Sequence, residues 1–429
     1  MTPRKLAFDL LQKLEKNNQF SNIALDRALQ REEMSDADKG LVSALFYGVT
    51  ERRLTLDYNI SLLSARPMND IDSETLTALR LGLYQLAYMD RIPPHAAINE
   101  TVDLCKKRSK GFVNALLRSF TRGNGLCYPE EKDNHPLYLS VKYSVCLPLA
   151  ERLISTFGGE EAENILSGFD KVPETTISVN TLKTTRDSLA EKINGATPTE
   201  NAPSGLRIKG SVRELYGFDD GLFFVQDEAS QICVAALDAK KDHRVLDICA
   251  CPGSKTFGAA IAMENSGRIT AFDLHAKKLP LITAGAERLG ITIIDTAERD
   301  GRSYLPELDS AADRIICDVP CSGFGVLWKK PELRYKDPAA SGALPSIQLD
   351  ILKNASRYLK KGGILVYSTC TIFPEENEEN IKRFLSENRD FSLTPFSVGS
   401  LDFPEGYGTL YPHKQGTDGF FIARLTKIT

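Results

Sequence analysis

Apolar residues recur at helical spacing through the first 125 positions, and the rhythm then changes twice along the 429-residue chain. "LAFDLLQKL", "LVSALFYGV", "LTALRLGLYQLAYM" and "FVNALLRSF" place them every third or fourth position, which predicts helices and no convincing strand. Ser35 with Asp38 in "SDADKGLVSALF" fits a helix cap, and "RIPPHAAINETVDL" stops one helix at Pro93 and Pro94 and starts the next. Residues 1–125 are expected to form an all-α domain. A linker follows at 126–139, where "RGNGLCYPEEKDNHP" replaces periodicity with glycine, proline and charge.

Residues 140–225 mix the two signals: "PLAERLISTFG" and "RDSLAEKI" read as helix, "TTISVNTLK", "LRIKG" and "GLFFVQD" as strand. They predict a small α+β subdomain. From 226 to 429 strand and helix alternate, with strands at "RVLDIC", "RITAFDL", "ITIIDTAE", "RIICDVP", "GILVYSTC" and "GFFIARL". That alternation predicts an α/β doubly wound, Rossmann-like domain with a parallel sheet and ligands at the carboxyl ends of its strands. No internal repeat or low-complexity tract interrupts it.

Composition narrows the class. Apolar residues make up 42% and charged residues 26%, as in ordinary globular proteins, and no apolar run reaches the roughly eighteen residues of a membrane span. The start "MTPRKLAFDLLQKLEKNNQF" is amphipathic and lacks a cleavable apolar stretch, so a cytoplasmic chain with no membrane partner is expected. Nine irregularly spaced cysteines argue for thiols rather than a disulfide framework, and "CAC" has no Cys or His cluster beside it that would suggest a metal. The net charge of −4 hides a local excess: residues 1–125 carry 18 Lys and Arg against 15 Asp and Glu.

Candidate chemistry concentrates at strand exits. In "LDICACPGSKT" a strand ends at Asp247, and Cys249, Ala250, Cys251, Pro252, Gly253 and Ser254 turn the chain into a helix that opens with Lys255. A helix amino terminus receives anionic groups, yet neither GxGxxG nor GxxxxGK[ST] is present, which disfavours a dinucleotide or ATP. Asp247, Asp273 and Asp300 follow three successive strands. One such acid is usually an ordinary loop residue; three in register point to ribose hydroxyls and a nucleoside without polyphosphate, a description S-adenosylmethionine fits.

"DVPCSG" and "YSTC" set Cys321 and Cys370 just past the fourth and fifth strands, whereas Cys317 lies inside its apolar run and reads as core. If those strands are neighbours, both thiols face one crevice. Geometry alone allows either to attack.

"DVPCSGFG", "YSTCTIFPEENE" and "DICACPGSKT" resemble the motifs of the NOL1/NOP2/Sun family of RNA cytosine-5 methyltransferases, and the resemblance continues through "SVNTLK", "VQDEASQ", "LPSIQLDIL" and "DGFFIARL". "FSNIALDRAL", "DKGLVSALFYGVTERRLTLDYNI", "LRLGLYQLAYMDRIPPHAAINETVDL" and "GFVNALLR" resemble the helical RNA-binding domain of NusB. The combination implies an enzyme that uses S-adenosylmethionine to methylate a cytosine of 16S ribosomal RNA, the one numbered 967, acting as a monomer.

The resemblance also implies roles. Cys370 of the Thr-Cys motif is the nucleophile and Cys321 assists release of the product. Asp318 hydrogen-bonds the ring at N3, and Lys255 belongs to the active site. Cys249 through Lys255, Asp247, Asp273, Asp300 and Asp318 bind the cofactor. Lys183 is a weaker candidate for RNA contact. Ser254 and Cys251 depart from the family's PGGKT and alanine, and "LWKKPEL" puts Trp328 where the first arginine of a basic run is usual. Two competing readings are a noncatalytic RNA-binding scaffold, opposed by the intact thiols and acids, and a tRNA methyltransferase, opposed by the helical front.

Overall fold

The computed structural model describes residues 1–17 and 21–429, and side chains outside 16–24. The opening of "FSNIALDRAL" at Phe20 lies outside the described residues. Two compact units emerge: Met1–Asp170 joined by Leu327–Pro338, and Lys171–Val326 joined by Ala339–Thr429.

The first unit is helical: α1 (Pro3–Asn17), α2 (Ser21–Arg31), α3 (Asp36–Glu51), α4 (Arg53–Leu63), α5 (Ser73–Tyr88), α6 (Pro94–Asp103), α7 (Lys110–Arg122), α8 (His135–Tyr143), α9 (Leu147–Phe157) and α10 (Gly159–Phe169). Their apolar stripes meet in a core that includes Leu45, Phe46, Leu56, Leu79 and Leu117. Ser35 caps α3, its Oγ accepting the Asp38 N–H at 3.2 Å, and Pro94 opens α6, where a missing N–H costs nothing. The stretch "PLAERLISTFG" is α9 and clusters with these helices rather than with the strands that follow it in sequence.

One buried cation anchors the bundle. Arg80 holds Asp57 through Nε–Oδ1 at 2.6 Å and Nη2–Oδ2 at 2.8 Å, and its Nη1 also reaches Glu15. The inserted stretch Leu327–Pro338 brings a second. Arg334, fully buried, donates to the carbonyls of Tyr143 at 2.7 Å and Phe169 at 2.8 Å and to Glu51 at 3.1 Å. Next to it, the Tyr335 hydroxyl donates to the Thr50 carbonyl at 2.6 Å and accepts the Arg53 N–H at 3.1 Å. Arg334 and Tyr335, directly after "LWKKPEL", are therefore a structural splint, while Lys329 and Lys330 within it are exposed.

The second unit begins with a small antiparallel sheet of β1 (Thr175–Val179), β2 (Thr197–Pro198), β3 (Gly205–Ile208) and β4 (Phe223–Val225), in the order β2-β3-β1-β4, with a short helix α11 (Arg186–Ala190). The main sheet follows: β5 (Arg244–Asp247), β6 (Arg268–Asp273), β7 (Ile294–Glu298), β8 (Ala312–Asp318) and β9 (Leu359–Thr369) pair in parallel as β9-β8-β5-β6-β7. Helices α12 (Glu228–Leu237), α13 (Ser254–Ala262), α14 (Leu279–Leu289), α15 (Leu344–Arg357) and α16 (Glu378–Glu387) alternate with these strands. The chain order reverses between β5 and β8, which opens a crevice at their carboxyl ends.

The sheet is not parallel throughout. After β10 (Phe391–Leu393), β11 (Phe396–Val398), β12 (Leu401–Phe403) and β13 (Tyr407–Leu410), the last strand, β14 (Phe420–Lys427), pairs antiparallel with both β9 and β13. A parallel return needs a long crossover, and only the single-turn helix α17 (Pro412–Gln415) separates β13 from β14.

"SVNTLK" is also structural. The Asn180 amide donates to the carbonyls of Gly221 and Leu289, both at 2.9 Å, and Lys183 Nζ to those of Asp220 at 2.7 Å and Arg288 at 3.2 Å. The exposed Lys183 ammonium thus closes the end of α14. Among the described residues no helix is long and apolar enough to cross a membrane.

Candidate active site

Register puts the two thiols together. Asp318 of β8 lies opposite Ser368 of β9, so the turns leaving these strands run side by side. Cys321 Sγ and Cys370 Sγ are 3.0 Å apart, and the Cys370 N–H also points at the Cys321 sulfur at 3.3 Å. The contact with Cys370, then burial, then the negative charges of Glu376 and Asp318 push the Cys321 thiol well above its ordinary pKa. Close backbone approach holds the Cys370 turn: the Gly325 N–H donates to the Cys370 carbonyl at 2.9 Å and the Gly419 N–H to the Gly325 carbonyl at 2.7 Å. A Cβ on Gly325 would sit 1.8 Å from the Gly419 oxygen, so any side chain there must displace the turn.

Beside the thiols stands an ion pair. Lys255 Nζ donates to Asp318 Oδ2 at 2.6 Å, and Ser368 Oγ donates to Asp318 Oδ1 at 2.7 Å. Burial alone would pull the Lys255 ammonium down; the Asp318 carboxylate outweighs it and holds the pKa above the usual lysine value. Lys255 reaches this spot because Gly253, at φ +108°, turns the chain sharply into α13. A Cβ at Gly253 would press within 2.8 Å of Phe257.

Next to it lies the crevice edge of β5, β6 and β7. The Ala250 N–H donates to the Phe272 carbonyl at 2.8 Å, which draws the turn Cys249–Ser254 against β6. Asp247 is buried; Oδ2 accepts the Thr256 hydroxyl at 2.7 Å, Oδ1 is buried with no hydrogen-bond partner, and burial pushes the carboxyl up to about 7. Asp273 accepts the N–H groups of Cys251 at 3.2 Å and His275 at 3.0 Å. Asp300 is gripped by Arg302, whose hydrogen bonds hold the carboxyl below its usual value. Burial raises the thiols of Cys249 and Cys251, the latter to about 12 with help from Asp273, so neither is a ready nucleophile. Cys317 is fully buried in the core.

The sequence reading assigned no role to the polar groups behind the thiols. Glu376 Oε2 accepts the Ser322 N–H at 2.9 Å and the Gln348 amide at 2.8 Å, and Asn377 bonds both the Thr369 hydroxyl at 2.6 Å and the Thr371 carbonyl at 3.0 Å. The one signal for them was "PEEN" itself, an acidic pair and an amide straight after a thiol turn.

Residues 234–426 match the family model described as 16S rRNA methyltransferase RsmB/F, and residues 1–122 match the NusB family. Over the full length of both chains, the protein is 36% identical to the probable ribosomal RNA small subunit methyltransferase B of Synechocystis sp.. The chain belongs to the RsmB/F methyltransferase family. It is also 37% identical to the probable ribosomal RNA small subunit methyltransferase B of Bacillus subtilis, covering 99% of this chain and 98% of that one. The crystal structure of PH0851 superposes with a TM-score of 0.82 at 28% identity, covering 100% of this chain and 99% of that one. This RsmB/F member is thus an enzyme of the methyltransferase class with a NusB-type front.

Two features of the helical unit do not join this chemistry. A cavity of about 890 Å³, lined in part by Val49, Arg53, Arg80 and Tyr335, has no cysteine among its described lining residues. Glu131, His135 and Glu163 bring possible metal-ligand atoms within 4.8 Å of one another, but Glu163 Oε1 is already held by Lys142 at 2.8 Å and Tyr143 at 3.1 Å.

Proposed function

We propose that this enzyme methylates carbon 5 of a cytosine in 16S ribosomal RNA, the one numbered 967, through a covalent adduct with Cys370. The observation that carries the reading is the pair of thiols 3.0 Å apart beside a buried Lys255–Asp318 ion pair. The methyl donor is S-adenosylmethionine, and the residues present fit it: strand-end acids Asp247, Asp273 and Asp300, a turn Cys249–Ser254 ending on a helix amino terminus, and no polyphosphate-binding motif. When bound it supplies an electrophilic methyl group.

Carbon 5 of cytosine is too weak a nucleophile to take that methyl unaided. Addition of the Cys370 thiolate to carbon 6 pushes electrons to carbon 5, and the charge building on the ring is met at N3. Asp318 serves N3 by passing on a proton: its Oδ2 receives one from Lys255 Nζ, 2.6 Å away, as it gives one to the ring. After methyl transfer the proton on carbon 5 passes to solvent water and the carbon–sulfur bond breaks, its electron pair returning to the Cys370 sulfur. The N3 proton goes back through Asp318 to Lys255, and Cys321 assists release by giving its proton to the departing Cys370 thiolate. The base must leave its stack to reach such a crevice.

The test separates two similar changes. With RNA and labelled cofactor, Cys370→Ala should give neither product nor adduct. Cys321→Ala should accumulate a protein–RNA complex that survives denaturing electrophoresis and carries the methyl label. A trapped complex with Cys370→Ala and none with Cys321→Ala exchanges the roles, and none with either removes the covalent route. Comparing 16S RNA, assembled small subunits and tRNA as methyl acceptors tests the substrate.

A further inference from the structure

Each thiol sits in a turn whose two flanks are fastened by one neighbouring side chain. Around Cys321, the Pro320 carbonyl accepts the Gln348 amide at 2.9 Å and the Ser322 N–H donates to Glu376 at 2.9 Å, while Gln348 and Glu376 bond each other at 2.8 Å. Around Cys370, Asn377 spans Thr369 and Thr371. Tyr367 adds a third hold, its hydroxyl donating to the Glu376 carbonyl at 2.6 Å. Glu376 is only 2% exposed, and both its side-chain donors are neutral N–H groups. Among the described residues no cation pairs with it, so its carboxylate is held on the Cys321 side by neutral N–H groups alone.

Lys255 and Cys370 interact favourably as ammonium and thiolate, whereas Cys321 faces the carboxylates of Glu376 and Asp318 and the sulfur of Cys370, with the buried Tyr367 phenol also near. We infer that Glu376 is a positioning residue that reserves Cys321 for the second half of the reaction, gripping its turn together with Gln348 and setting a buried negative charge on its side of the sulfur pair. The first thiolate then forms at Cys370, and Cys321 still bears its proton when release begins. This rests on the covalent reading above.

The experiment reads the free protein, so it stands whether or not an RNA adduct forms. Under reductant, iodoacetamide labelling of Cys321 and Cys370 is followed by peptide mass spectrometry across pH 6 to 10, for wild type and Glu376→Gln. Removing the charge should shift the Cys321 labelling midpoint down by about one pH unit, which is roughly tenfold faster labelling on the acid limb, and leave the Cys370 profile in place. The same variant should lose kcat with KM for RNA unchanged. Superimposable Cys321 profiles in a folded Glu376→Gln protein overturn the proposal, as does an equal shift at both thiols. Should Glu376→Gln fail to fold, Glu376→Asp decides: it keeps the charge but shortens the reach to Ser322, so kcat should drop about tenfold while the Cys321 profile stays near wild type. Wild-type kcat in Glu376→Asp overturns the grip.

Discussion

Each unit buries a cation, and the two are held differently. In the helical unit Arg80 has its guanidinium fork closed on Asp57, with Glu15 taking a further N–H. In the sheet unit Lys255 makes one hydrogen bond, to Asp318, although an ammonium has three protons to give. Three of the five guanidinium N–H groups of Arg80 are fixed on two carboxylates, which makes it a fastener. A buried cation with spare donors next to two thiols stays available to a substrate, and the surrounding fold must cover its desolvation cost. The number of carboxylates that grip the cation, two on Arg80 against one on Lys255, separates these two charges more than burial does.

Breaking the chemical member should have the larger effect on turnover. Lys255→Met should lower the single-turnover methylation rate by at least about 100-fold, the usual worth of a positioned proton donor, with only a modest change in Tm. A rate within threefold of wild type would make Lys255 as structural as Arg80. The mirror experiment, Arg80→Met, should destabilise the folded protein by about 3 kcal/mol in denaturant titration, because Asp57 and Glu15 are left without their cation. Methylation per folded molecule should hold.

The smallest effect sharpens the comparison through pH. Asp247, pushed up to about 7 by burial, favours the folded state while protonated; that contribution is whole below the ordinary carboxyl value and is lost as pH rises to about 7. Asp247→Asn removes the charge that must otherwise be buried. Its stability should therefore gain on wild type as pH rises from 5 to 8, with no further gain above. A pH-independent difference would show that Asp247 is not titrating in this range.

How much of this was legible in the sequence depends on the range of the interaction. Helices of the front half, the parallel strands and the strand-end positions of Asp247, Asp273, Cys321 and Cys370 all follow from local periodicity and turn residues. Neighbouring β8 and β9 follow from the rules of doubly wound sheets. The direction of β14 did not, since it depends on a connection too short for a crossover. Glu376, Gln348 and Asn377 were quoted in motifs but given no work, because their partners are assembled only by the fold: Glu376 meets Ser322 across 54 positions. The bonds that Lys183 and Asn180 make to carbonyls at the end of α14 were equally invisible, because their partners lie more than a hundred positions away.

The inserted stretch Leu327–Pro338 also fixes an order of events during synthesis. The helical unit is encoded first, yet Arg334 and Tyr335, which fill its interior, are translated only after β8 and before β9. A ribosome making this chain cannot release a finished front half and then begin the back. The packing of the amino-terminal helices is complete only once residues 327–338 exist, by which time four of the five parallel strands have been made. Maturation of the two units is interlaced in time, and a domain graft cut at a single junction separates Tyr335 from the Thr50 carbonyl that receives it.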